Sequence, residues 1–331
     1  MIKENNSVMK VLITGAHGFV GHHVVRELEK EHELLTPSRR ELNLLYTTDP
    51  CGDPLRETEE YLRRKSVDAI VHLAATCGGI GINKDNPGKF MYDNLQMGIN
   101  VLEAARLANV SKVVVLGTVC AYPKFTPIPF REKDIWNGYP EETNAPYGIA
   151  KKTVMEMGIA YSRQYGMNIT NLVPVNMAGE WDNFDEYSSH VIPALIKKFE
   201  NPHGTAIPTV EHGYYCDPTV VLWGTGSASR EFLYAGDCAR AIAVALVKNT
   251  GPEPINLGTG NEVTIKDLAE LVKRVGKYDA NIVWDPTKPD GQPRRSLDIT
   301  RAQNVLRWNA TTSLFETVRR TIEWYRTNGS V

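Results

Sequence analysis

Cysteine is scarce in this chain of 331 residues, and its five copies, Cys51, Cys77, Cys120, Cys216 and Cys238, follow no pairing pattern. The number is odd and no CxxC or Cys/His spacing joins any two of them, so neither a disulfide framework nor a cysteine-based metal site is encoded. Such usage fits a reduced, cytoplasmic protein. A surplus of charge is missing too: 37 Lys+Arg stand against 39 Asp+Glu, a formal net charge of −2. That excludes a broad attraction to nucleic acid or to an anionic membrane, so an anionic ligand has to be met by cations placed locally. Long apolar runs are absent, none approaching the ~18 residues of a membrane span. The polar start MIKENNSVMK lacks the apolar core of a signal peptide. No internal repeat or low-complexity tract appears.

What is present is alternation. Lys10–Thr14 (KVLIT) reads as a strand, Val20–Lys30 as a helix, His32–Leu35 as a strand and Pro54–Lys65 as a helix. Asp68–Ala74 is then a buried strand, Asn94–Ala108 a helix, Lys112–Gly117 a strand, Tyr147–Tyr165 a long helix, and a further strand lies around Asn168–Pro174. Alternating elements of this kind predict an α/β fold with a doubly wound parallel sheet, the Rossmann arrangement. Beyond Asp182 the pattern becomes loop-rich, with helices at His190–Phe199 and Thr264–Gly276 and irregular stretches at Asn201–Pro218 and Asp285–Pro293. The expected organisation is a dinucleotide-binding domain over 8–181, with a returning segment near 220–260. A smaller C-terminal substrate-binding domain takes 182–219 and 261–328.

TGAHGFVG places Gly15, Gly18 and Gly21 at the first strand-to-helix junction. Glycines there let the backbone turn tightly and approach a pyrophosphate, which sits on the unpaired amides of the helix start. The end of the second strand reads LLTPSRR, offering Thr36, Ser38, Arg39 and Arg40 but no carboxylate before Glu41. Hydroxyl and guanidinium groups suit a ribose 2′-phosphate, so NADP(H) is expected over NAD(H). YGIAK puts Tyr147 and Lys151 on one face of a helix, where a fixed cation is expected to lower the phenol's pKa and ready it for proton exchange with a sugar or alcohol oxygen. Thr118, at the preceding strand end, completes a hydroxyl, phenol and ammonium set. In LGTVCAYPK the thiol of Cys120 is open to two readings, packing or chemistry. His22 and His23 share their helix face with no carboxylate or cysteine and read as surface or dimer residues; no metal site is expected.

These residues resemble the extended short-chain dehydrogenase/reductase family, and within it the enzymes that epimerise and reduce a GDP-linked 4-keto-6-deoxy-hexose. The likeness runs through GGI at Gly78–Ile80, GTVCAYPK, NAPYGIAK at Asn144–Lys151, DNF at Asp182–Phe184, HVIPALIKKF at His190–Phe199, WGTGSASREF at Trp223–Phe232 and DGQPRR at Asp290–Arg295. It implies Thr118, Cys120, Tyr147, Lys151 and His190 as the catalytic set, with Cys120 as base and His190 as acid for inversion beside a carbonyl. It implies further cofactor contacts at His17, Phe19, Val20, Ala74, Ala75 and His190, besides the glycines, Ser38, Arg39, Tyr147 and Lys151. Substrate contacts are implied at Asn176, Lys198, Trp223, Arg230 and Arg295. The partner is then a nucleotide-diphosphate sugar, GDP-linked by resemblance, and the family implies a homodimer through the helices 94–108 and 147–165.

The resemblance also marks departures. Related nucleotide-sugar dehydratases carry Asp-Glu after the active-site Thr, whereas this chain has Val119-Cys120, which argues against dehydration. The usual NLYGP becomes Asn176-Met177-Ala178-Gly179-Glu180, Pro37 replaces a frequent arginine, and Glu200–Val220 is long, with His203, His212, Tyr214, Tyr215 and Cys216. Three activities stay open: epimerisation at C3 and C5 with C4 reduction, C4 reduction alone, and redox-neutral 3,5-epimerisation.

Overall fold

The computed structural model describes residues 8–46, 52–209, 213–288 and 292–329, without the side chains of Ile80 and of 203–217. Cys51, His212, Asp290 and Gly291 therefore lie outside the described residues, as do the side chains of His203, Tyr214, Tyr215 and Cys216. In chain order the first half runs β1 (Lys10–Thr14), α1 (Phe19–Leu28), β2 (Glu33–Leu35), α2 (Pro54–Lys65), β3 (Ala69–His72), α3 (Ile80–Asp85), α4 (Pro87–Leu107), β4 (Lys112–Leu116), α5 (Ala145–Tyr165) and β5 (Ile169–Pro174). The second half continues β6 (Asn176–Ala178), α6 (Val191–Glu200), β7 (His203–Thr209), β8 (Gly213–Trp223), β9 (Ser229–Tyr234), α7 (Ala235–Val247), β10 (Ile255–Leu257), β11 (Glu262–Thr264), α8 (Ile265–Gly276), β12 (Asn281–Asp285), β13 (Arg294–Arg295) and α9 (Leu314–Asn328).

Apolar β-branched runs such as KVLIT and KVVVL are buried on both faces, as strands covered by helices on each side must be. They form one parallel sheet in the order β10-β5-β4-β3-β1-β2. From β1 the chain passes to β2 on one side and then to β3 on the other, so the crevice beyond the ends of β1 and β3 is the topological switch point where such sheets take ligands. Two helix starts lie earlier than the periodicity predicts. Pro87 and Pro146 stand in the first turns of α4 and α5, where a fixed φ and a missing N–H cost nothing.

The second half builds two small sheets. In one, β9 pairs with β11, β13 and β6; in the other, β8 lies between β7 and β12. The stretch expected to be irregular at 201–218 is thus a hairpin, in antiparallel register from His203↔Thr219 to Thr209↔Gly213. Its prolines read as strand breakers, but Pro208 and Pro218 sit opposite Tyr214 and Gly204, and β12 supplies β8 with a second neighbour from far along the chain. A separate apolar cluster, with Ile196, Phe199, Leu222, Leu268, Val272 and Val318, joins α6, α8 and α9 to β8.

Candidate active site

The glycine loop follows β1 into α1. A Cβ on Gly21 would stand 2.2 Å from the Gly15 carbonyl oxygen, so only glycine allows α1 to start this close to the strand end. Gly18 caps α1 without a side-chain hydrogen bond, and its first turn holds no acidic residue. The uncapped amides at the switch point, with no competing carboxylate, fit a dinucleotide pyrophosphate. The Ala74 amide donates to Thr14 Oγ1 at 3.4 Å, which sets the β3 end, and with it Ala75, beside the loop. His17 joins the loop to the β2 end by Nε2 to the Thr36 carbonyl, 3.1 Å, and Phe19 packs edge-on to His23 at 6.0 Å. Val20 packs on the core. Arg39 and Arg40 are exposed, while the Ser38 amide donates to Glu41 at 2.8 Å.

Beyond β4 the chain makes a single helical turn, Val119–Ala121, capped by Thr118, whose Oγ1 accepts from the Cys120 amide at 3.2 Å. Helix α5 lies directly on this turn. A Cβ on Gly148 would be 2.2 Å from the Cys120 carbonyl oxygen, so the glycine after Tyr147 is what brings phenol, threonine and thiol together. Lys151, one helical turn from Tyr147, is buried and donates from Nζ to the Leu116 carbonyl at 3.1 Å. Desolvation pushes its pKa down to about 8, against a smaller opposing effect of Cys77.

Tyr147 departs from the expectation that Lys151 lowers its pKa. Desolvation raises the phenol well above its ordinary value, the nearby Cys77 and Cys120 thiols add to this, and a hydrogen bond with Thr118 only partly opposes it. Tyr147 therefore holds its proton here, which suits a donor to a developing alkoxide.

The remaining catalytic candidates come from the second half. His190 caps α6, and its Nδ1 lies 3.3 Å from Oδ1 of Asp182. Burial works against protonation of the imidazole, but the hydrogen bond and charge of Asp182 outweigh it, so the His190 pKa is raised. Asp182 is itself buried, and its Oδ2 has no hydrogen-bond partner. Arg295 on β13 reaches Cys120 Sγ with Nη1 at 3.6 Å, so the structure sets it against the thiol.

The other expected substrate contacts fall in two places: Lys198 with Trp223, and Arg230 and Asn176 on the small sheet that also carries Arg295. Lys198 and Trp223 meet, with Nζ 5.8 Å from the ring centre, and Lys288 lies at the same distance. Trp223 is 63% exposed, an open aromatic platform flanked by two cations. Arg230 donates to the Ser229 carbonyl at 2.7 Å, and Asn176 donates to the Glu231 carbonyl at 3.2 Å. The altered loop turns its carboxylate away: Glu180 accepts from Tyr234 Oη at 2.9 Å and lies beside His23. His23 is buried, not on the surface as expected, and its Nε2 meets the Glu180 carbonyl at 3.1 Å. Asp182, Gly148 and Gln292, which holds Arg295, escape the sequence reading. All three sit inside stretches that resemble the family, DNF, YGIAK and DGQPRR, but nothing in their spacing names their partners. Among the described residues no group of His, Cys, Asp and Glu could hold a metal ion.

The sequence profile of the NAD dependent epimerase/dehydratase family matches residues 11–258. A GDP-L-fucose synthase of Escherichia coli (strain K12) is 35% identical, covering 97% of this chain and 98% of its own length. A GDP-L-colitose synthase of Yersinia pseudotuberculosis is also 35% identical, with 96% and 98% covered. Among solved structures, a GDP-mannoheptose C4 reductase from Campylobacter jejuni with NADP bound superposes at a TM-score of 0.80 and 26% identity, over 96% of this chain and 98% of that one.

Proposed function

Because the chain belongs to the NAD dependent epimerase/dehydratase family, we propose that it is an NADPH-dependent enzyme that epimerises a GDP-4-keto-6-deoxy-hexose beside its carbonyl and reduces C4. The observation that carries this reading is the packing of α5 on the Thr118–Cys120 turn, which sets the Tyr147 phenol, a threonine hydroxyl and a thiol together beyond the end of β4. NADPH, when bound, supplies the hydride. Thr118 and Tyr147 hold the C4 oxygen, and Tyr147 gives it the proton that turns the reduced carbonyl into an alcohol.

Inversion uses the same polarised carbonyl. A proton on a flanking carbon is acidic because the enolate is delocalised; Cys120 removes it, its C–H electron pair passing into the enolate, and His190 returns a proton to the opposite face. The raised pKa of His190 supports its role as the acid, with Asp182 fixing the ring through Nδ1 and leaving Nε2 for the substrate. Lys151 orients the site from beneath, and the glycine loop, His17, Phe19, Val20, Ser38, Arg39, Ala74 and Ala75 bind the cofactor. Trp223 and Lys198 take the nucleotide end of the substrate, with Asn176 and Arg230 nearer the sugar.

The enzyme acts in the cytoplasm as a homodimer joined through α4 and α5. Support for the dimer comes from apolar side chains exposed along α4, Met91, Tyr92 and Ile99, and from an apolar groove beside α5 lined by Trp136, Ile149 and Met157. Sedimentation at micromolar concentration gives twice the chain mass if this is correct.

The deciding experiment is turnover of GDP-4-keto-6-deoxy-mannose with NADPH in deuterated water, followed by NMR of the product. Deuterium at C3 and C5 with NADPH consumed is the expected result. A product without deuterium leaves only a C4 reductase, and exchange without NADPH consumption leaves only an epimerase.

A further inference from the structure

Arg295 has 9% of its surface exposed, and among the described residues no ion pair engages it, whereas the adjacent Arg294 pairs with Glu262 at 2.8 Å. Its Nε and Nη2 both donate to Oε1 of Gln292, at 3.2 and 3.0 Å, which aims Nη1 at Cys120 Sγ. Among the described residues the guanidinium's side-chain partners are thus a neutral amide and a thiol. A buried cation without a counter-charge is costly, so a negative charge placed beside it is favoured.

The backbone on both sides of Arg295 is fixed. Strand β13 runs beside β9, with Arg295 opposite Arg230, and the Phe130 amide donates to the Ser296 carbonyl at 2.8 Å. The fully buried Glu231 accepts from the Leu297 amide at 2.9 Å and from Ser296 Oγ at 3.2 Å. With the main chain stitched into two neighbours and the side chain forked onto Gln292, Nη1 has little freedom to leave the sulfur.

We propose that Arg295, oriented by Gln292, is a positioning residue for Cys120 that compensates the negative charge of the thiolate before it takes a proton from the substrate. The proton then moves from carbon to sulfur, the C–H pair enters the enolate, and the sulfur becomes neutral. This deepens the reading of Cys120 as the inverting base and rests on it. It adds a role to the expectation that Arg295 contacts the substrate.

The test needs no turnover. The full-length protein, without substrate, is treated with iodoacetamide at about pH 7, where alkylation follows the thiolate, and labelling at Cys120 and Cys77 is measured separately by mass spectrometry. Arg295→Gln should slow labelling of Cys120 by about tenfold, Gln292→Leu by less, and Arg295→Lys should recover most of the rate, with a much smaller change at Cys77. Unaltered Cys120 labelling in Arg295→Gln overturns the proposal and, with weaker GDP binding, leaves Arg295 as a substrate contact alone. An equal change at both thiols, with no effect of Gln292→Leu, overturns it as well. A wrong substrate assignment leaves this result standing, whereas the deuterium experiment tests that assignment independently.

Discussion

The two halves of the proposed site are built in different ways. On the side proposed for reduction, Thr118, Tyr147 and Lys151 come from one strand end and one helix packed on the same sheet, and Lys151 donates back to that strand at Leu116. On the side proposed for inversion, each group depends on a partner from elsewhere: Cys120 meets an arginine 175 residues further along, and His190 at a helix cap meets Asp182 in the preceding loop. The first side rests on helix geometry, which puts positions four apart on one face whatever else moves. The second rests on the register of β13 for Arg295 and on a loop for Asp182, so small displacements separate its groups. Reduction should therefore survive perturbations that abolish inversion, and the reverse should be rare.

Perturbations ordered by expected size test this contrast. Tyr147→Phe serves both sides and should lower NADPH oxidation by about 10²- to 10⁴-fold; turnover at the wild-type rate would remove Tyr147 from the chemistry. Gly148→Ala should cost about 10²-fold in both NADPH oxidation and deuterium uptake, because its Cβ forces α5 off the Cys120 turn, and a shift near 1 Å is worth that much. Were uptake alone to fall, the close approach would matter only to the thiol. Cys120→Ser should lower deuterium uptake by about 10²-fold while an already epimerised intermediate is still reduced at a substantial rate.

Asp182→Asn should act more gently, about tenfold on deuterium uptake. His190 must be protonated to act as acid, so exchange falls as pH rises through its pKa; removing the charge that raises this pKa moves the alkaline limb to lower pH. A limb that stays in place would assign the acid to another group. By linkage, a histidine whose pKa is raised on folding adds stability that is complete below its unfolded pKa and lost as pH rises through its folded one. Thermal melts of Asp182→Asn should accordingly lose most relative to wild type at mildly acidic pH and least at alkaline pH. Trp223→Ala should be the smallest effect, raising the KM for the GDP-sugar about two- to tenfold with little change in kcat.

Most of the first sheet was legible because its signals are local: β-branched runs, a glycine loop between strand and helix, and a tyrosine and lysine at helical spacing. The hairpin at β7 and β8 was not, since its prolines read as breakers while its pairing is completed by β12, whose residues lie 62 positions beyond their partners in β8. The elevated pKa of Tyr147 was illegible for a related reason. Spacing shows that Lys151 lies on the same face, but desolvation by the packed turn dominates the phenol, and packing density is not written in spacing.

The sequence by itself determined the chemistry on offer: a dinucleotide loop, a threonine, a phenol, an ammonium, a thiol and a histidine, each announced by residue type within a short stretch. Only the tertiary structure decided who partners whom. Arg295 was expected only as a substrate contact and also reaches Cys120, and the carboxylate gained at Glu180 meets Tyr234 and lies beside His23. Local spacing fixes which side chains share a face, whereas contacts between layers follow from how sheets and helices close on one another, and that closure depends on the whole chain.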